Sequence, residues 1–163
     1  MQIKSLILKN FRGYSGETTI NFDNLTAFVG CNDIGKSSIL EALDIFFNDS
    51  KGIIKLEKND VNMDSRSHGD TEISIAVRFT DLPDRIVIDS TCETTLAQEY
   101  LLNPDGLLEI VKRYSNGGSA KPLSMPCILQ ILNVLDFYIK RMRNYAGFLM
   151  QTASLVLTGL KTP

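Results

Sequence analysis

The chain has 163 residues, 44% of them hydrophobic and 22% charged, with 8 Phe and 5 Tyr; this excludes a disordered segment and suffices for one domain with a sizeable core, or for part of something larger. A formal net charge of −2 lacks the basic excess with which a chain grips phosphate backbones by itself, so DNA is expected only through an assembly. Cys31, Cys92 and Cys127 stand far apart with no C-x-x-C or Cys/His cluster, which excludes a disulfide framework or a zinc site as the organising device.

The first residues alternate polar and apolar and show no signal-peptide pattern, so a cytoplasmic location is expected. Ile3, Leu6 and Leu8 mark a strand too short for a helix, followed by the polar run Lys9-Asn10-Phe11-Arg12-Gly13-Tyr14, a loop. Residues 17–22 alternate β-branched positions, Asp23-Asn24 is a turn pair, and residues 25–29 form a short apolar run; two more strands are predicted, the second ending at Gly30. From Gly35 the period changes. Ile39, Leu40, Ala42, Leu43, Phe46 and Phe47 recur at helical spacing and predict a helix with one buried stripe.

Residues 50–70 are charged and aperiodic, a surface excursion holding at most a short helix, with His68 a solvated loop residue. Residues 71–79 then place Ile73, Ile75, Val77 and Phe79 on one face and Glu72, Ser74 and Arg78 on the other, as a half-buried antiparallel strand does. Further expectations are a strand over 85–89, a helix over 94–102, the turn Asn103-Pro104-Asp105-Gly106 and a strand over 106–114. The breakers of residues 116–126 read as a linker. Beyond it, Ile128, Ile131, Leu132, Leu135, Ile139 and Met142 predict a helical tail over 127–163, docked on the domain or a partner; its apolar stretch falls short of the about 20 residues a membrane span needs.

The run Gly30-Cys31-Asn32-Asp33-Ile34-Gly35-Lys36-Ser37 fits G-x-x-x-x-G-K-[ST], the P-loop or Walker A pattern. Chance produces that pattern in fewer than about one chain of this length in a hundred, and here it lies between a predicted strand and a predicted helix. Each residue type answers a chemical demand. Gly30 and Gly35 allow backbone shapes that turn consecutive N–H groups inward, and the helix aims its partial positive end at the phosphates. Lys36 is placed to reach the β- and γ-phosphates of ATP, and the Ser37 hydroxyl to coordinate Mg²⁺, with Ser38 beside it.

The opening Ile3 to Tyr14 with its Asn10-Phe11-Arg12, the strand Thr19-Ile20-Asn21-Phe22, and the run from Leu25 through the loop to Leu43 together resemble the start of the ABC-type ATPase heads of SMC-like proteins. Among these, the chain is similar to the OLD-family ATPase–nucleases and to the ATPases of anti-phage systems such as Gabija. The resemblance covers residues 1–48 closely, extends to residue 115, and is not continued by the tail over 127–163. It implies an α/β fold: the N-terminal lobe of a P-loop ATPase head over 1–115, with mixed or antiparallel strands. It implies a role in DNA-directed defence or repair, with Mg-ATP binding and dimerisation on nucleotide, as a homodimer or with a partner ATPase or nuclease chain. It makes Arg12 a candidate phosphate or adenine contact and points Asn32 toward the γ-phosphate, while Asp33 takes a structural place in the loop.

Hydrolysis in such heads needs an acidic pair closing an apolar strand, a signature motif from a second head and a later histidine; OLD proteins add a nuclease with metal-binding carboxylates. None is recognised here. Leu132-Asn133-Val134-Leu135-Asp136 has the apolar run but falls in a helical pattern without the following Glu, and Asp60 reads as a solvated surface residue more readily than as one approaching Mg²⁺. A chain that binds nucleotide or a partner ATPase without hydrolysing ATP alone is therefore the second reading.

Overall fold

The computed structural model describes residues 1–29, 35–48, 52–89, 92–115 and 121–122. Gly30 and Asn32 of the loop, most of the predicted linker and the predicted tail lie outside these residues. The order of elements is β1 (Gln2–Lys9), β2 (Thr18–Asn21), α1 (Lys36–Asn48), a short 3₁₀ turn (Lys58–Asp60), α2 (Met63–Ser67), β3 (Glu72–Thr80), β4 (Ile86–Asp89), β5 (Cys92–Thr94), β6 (Leu108–Ser115) and β7 (Lys121–Pro122). Five strands make one sheet in the order β2-β1-β3-β6-β7, and β4 pairs with β5 apart from it. Every pairing is antiparallel.

The sheet core follows from alternation. Leu6 stands opposite Val77 and Leu8 opposite Ile75, while Ile73 and Ile75 face Tyr114 and Lys112 of β6, so these residues share one face. Leu6, Leu8, Ile73, Ile75, Val77, Phe79 and Tyr114 are fully buried there, in one cluster with Ile39, Ala42, Leu43, Ile45, Phe46 and Phe47 of α1. The predicted faces of the 71–79 strand are the observed ones. On the opposite face, Arg78 and its cross-strand partner Glu109 form an ion pair at 2.5 Å.

Helix α1 is buried more widely than its apolar stripe predicts, because Ser38, Asp44 and Ile45 are buried too. Asp44 is satisfied in place: its Oδ1 accepts from Asn48 Nδ2 at 2.7 Å and its Oδ2 from the Ile54 N–H at 3.0 Å. This ties the returning chain to the helix, and Gly52 fits there only because it lacks a side chain; a Cβ would stand 2.5 Å from Asp44 Oδ2. The C-terminal carbonyls of α1 are met from the sheet. Lys112 Nζ donates to the Phe46 carbonyl at 2.7 Å while lying over the Phe46 ring, and the Tyr114 hydroxyl donates to the Ile45 carbonyl at 3.4 Å.

Two expectations are corrected. Residues 25–29 form no strand: Leu25 and Val29 are 90% and 93% exposed, and the segment folds on itself instead. The Asp23 N–H donates to the Thr26 hydroxyl at 3.0 Å, and Phe28 meets Phe22 edge-on at 6.1 Å. A run apolar on both faces needs neighbours on both sides to become a strand, and none of the described strands pairs with it. Nor is 94–102 a helix. Thr94 belongs to β5, and the reciprocal bonds between Thr95 and Gln98 nucleate a single turn, which ends at Tyr100 with φ 55. The short helix within 50–70 is α2, and the strands predicted over 85–89 and 106–114 are β4 and β6.

Candidate functional site

The site is assembled where the turn after β1, the first turns of α1 and the segment before α2 meet. Phe11 and Tyr14 close a tight turn by two backbone bonds, each 2.9 Å, and Phe11 also bridges to Val61. Asn10 and Arg12 carry positive φ values of 56° and 49°, shapes that side chains disfavour and that persist only where surroundings fix them. They are fixed here. Asn10, fully buried, donates through Nδ2 to the Asp70 and Glu72 carbonyls at 3.1 and 3.0 Å, and its Oδ1 accepts from the Asn62 N–H at 3.2 Å. Asn62 Nδ2 in turn donates to the Arg12 carbonyl at 2.6 Å, and Asn62 Oδ1 caps α2 by accepting from the N–H groups of Asp64 and Ser65.

Arg12 is held through its backbone and through two of its guanidinium nitrogens. Its N–H donates to the Asp60 carbonyl at 2.7 Å, its Nε to Asp60 Oδ1 at 2.8 Å, and its Nη1 to Glu41 Oε2 on α1. The guanidinium lies 5.1 Å from the centre of the Phe11 ring. Burial works against its charge, but the hydrogen bond to Asp60 and the charge of Glu41 outweigh that and raise its pKa above the ordinary arginine value. Asp60 is not the solvated surface residue expected. Its side chain is 13% exposed, and its second oxygen accepts from the Glu57 N–H at 2.7 Å. Both carboxylate oxygens are thus engaged within the protein.

Tyr14 reaches the other end of the turn. Its hydroxyl donates to the Gly35 carbonyl at 3.3 Å, and its ring lies where a Cβ on Gly35 would come within 3.2 to 3.4 Å. Gly35 has φ 72, so both conformation and close approach call for glycine immediately before the helix. Burial raises the Tyr14 phenol above its ordinary value of 10.0. Lys36 opens α1, Ser37 is exposed beside it and Ser38 is buried. The structure brings Gly35, Lys36, Ser37 and Ser38 together at one helix end, with Arg12 against the same helix at Glu41. Gly30 and Asn32 lie outside the described residues.

Glu41, Tyr14, Asn62 and the pairing of Asp60 were not foreseen from sequence. A signal existed only for Asn62, whose place before Met63-Asp64 is that of a helix cap. His68, expected in a loop, is exposed at the C-terminal end of α2. Among the described residues no group of His, Cys, Asp or Glu is arranged to hold a metal ion, and no helix is long and apolar enough to cross a membrane.

The described residues thus show a glycine of positive φ leading into a helix that opens on a lysine and a hydroxyl. No curated protein matches the chain in sequence. A family model described as "AAA ATPase domain" matches residues 1–148. With that span covering most of its 163 residues, the chain belongs to the AAA ATPase domain family and is a nucleotide-binding ATPase module built on the N-terminal lobe of a P-loop fold.

Proposed function

We propose that this chain binds Mg-ATP at the N-terminal end of α1 and serves as the ATP-binding head of an OLD-like, SMC-related defence or repair assembly, in which nucleotide joins two heads. The observation that carries the reading is the Gly35-Lys36-Ser37 junction, where a glycine of positive φ leads into a helix that starts on the lysine. There the helix end, Lys36 and Ser37 supply partial charge, full charge and a metal-coordinating hydroxyl in succession. Mg²⁺ would sit against Ser37, neutralising charge between the terminal phosphates. Gly30 and Asn32 complete the cradle in this reading, and the partner is a second copy or a companion ATPase or nuclease chain.

A second reading is favoured by the sequence itself, which contains no Asp-Glu pair with which an apolar strand could polarise the attacking water. On that reading the chain binds nucleotide and leaves hydrolysis to groups supplied from elsewhere. Light scattering with and without Mg-ATP, beside a phosphate-release assay, tests both. A doubled mass with ATP supports the head-joining reading; an unchanged mass at saturating nucleotide contradicts it. Steady turnover that Lys36→Ala abolishes would refute the binding-only reading.

A further inference from the structure

We infer that Arg12, Glu41 and Asp60 form a positioning bridge for the nucleotide site, in which Arg12 is the strut between the P-loop helix and the 57–62 segment. The inference deepens the nucleotide-binding reading and rests on it. Glu41 lies four residues after Ser37 on α1, hence one turn further along the same side, with side chains about 6 Å apart by helix geometry. A pull on Glu41 is therefore a pull on the helix face that carries Ser37.

Three features make this a fixed bridge. Arg12 is anchored at N–H, carbonyl, Nε and Nη1 by Asp60, Asn62 and Glu41, with its side chain 30% exposed and the partner carboxylates 23% and 13% exposed. Its backbone holds a positive φ of 49°, which these bonds over-determine. Asp60, the far anchor, is itself held by the Glu57 N–H, and the neighbouring Asn62 is held by Asn10. The chain of contacts runs from the buried Asn10 through Asn62 to Arg12, and from Arg12 to Asp60 and Glu41. Two carboxylates on one guanidinium leave the cluster with net negative charge, which disfavours an additional phosphate beside them. The geometry favours Arg12 aligning the helix and Ser37 meeting the metal.

The test titrates the full chain with ATP in Mg²⁺ and again in EDTA, for wild type, Lys36→Ala, Arg12→Lys, Glu41→Gln, Asp60→Asn and the double variant Arg12→Lys/Glu41→Gln. Positioning through Ser37 predicts that Glu41→Gln and Arg12→Lys each weaken Mg-ATP binding about tenfold, while binding without Mg²⁺ changes less than about twofold. The double variant should be no weaker than either single one, since both break the same bridge. Asp60→Asn should act in the same direction, and it carries the test if Glu41→Gln fails to fold. Weakening by Arg12→Lys with Glu41→Gln unchanged or tighter would overturn the proposal in favour of a direct phosphate contact. Equal losses with and without Mg²⁺ would overturn it as general damage to the fold. Wild-type affinity in Lys36→Ala would instead remove the nucleotide reading beneath it, an outcome separate from either.

Discussion

Gly35 and Tyr14 show how single residues set the entry to α1. Gly35 has φ 72 and faces the Tyr14 hydroxyl, so Gly35→Ala adds a left-handed penalty of about 1–2 kcal/mol and crowds the tyrosine. The expected result is lower thermal stability together with weaker Mg-ATP binding; an alanine variant equal to wild type in both would contradict this account of the junction. Tyr14 makes a second prediction. Its phenol is raised above 10.0 by burial, so the neutral form is the one the fold favours. The stability it adds is complete below pH 10.0 and is lost as pH rises through the higher folded value. Denaturant melts of wild type and Tyr14→Phe should therefore diverge above pH 10.0, with the wild type losing stability faster. Parallel curves would show that the phenol does not titrate with folding.

At the scale of elements, α1 is held at its far end by the sheet. Lys112 supplies from β6 the cation that the last turn of the helix lacks, and it bonds the Phe46 carbonyl directly. Lys112→Met keeps the apolar stem but removes the charge and the bond, and should cost about 1–2 kcal/mol in a denaturant melt. Asn62→Ala should cost more, about 2–3 kcal/mol, because it removes the cap of α2 and the bond that holds the Arg12 carbonyl. A loss under half a kcal/mol in Asn62→Ala, on the scale of an ordinary surface change, would mean that the Asn10–Asn62 network is not what fixes the turn. Which elements could be read beforehand follows from the same physics. The 71–79 strand was legible because one face is apolar and one polar, and α1 because its stripe keeps the helical period. Residues 25–29 misled because an apolar run states only that burial is favourable, not which neighbour provides it. The 94–102 segment misled because its helical composition is cut by Tyr100 at positive φ, which no local pattern announces.

At the scale of the whole molecule, the site is a meeting of segments far apart in sequence, and this limits what any linear reading can see. Gly35, Lys36 and Ser37 were legible because their chemistry is compressed into one loop and the helix end it opens. Arg12 was named a candidate from its sequence context, but its pairing was not legible, since Glu41 and Asp60 lie 29 and 48 residues away. Asn10 and Asn62, 52 residues apart, looked like unrelated polar loop residues until the fold joined them. The antiparallel sheet supplies the base on which these segments converge, and the family match over 1–148 gives the assembled object its class.

The central claim is that the end of α1 at Lys36 binds nucleotide, and calorimetric titration of the full chain with Mg-ATP, beside Lys36→Ala, tests it most directly. The account predicts saturable binding by wild type, reduced by about a hundredfold or more in the variant, as expected when the charged partner of the phosphates is removed. Absence of binding by folded wild-type protein, or equal affinity in Lys36→Ala, would contradict it.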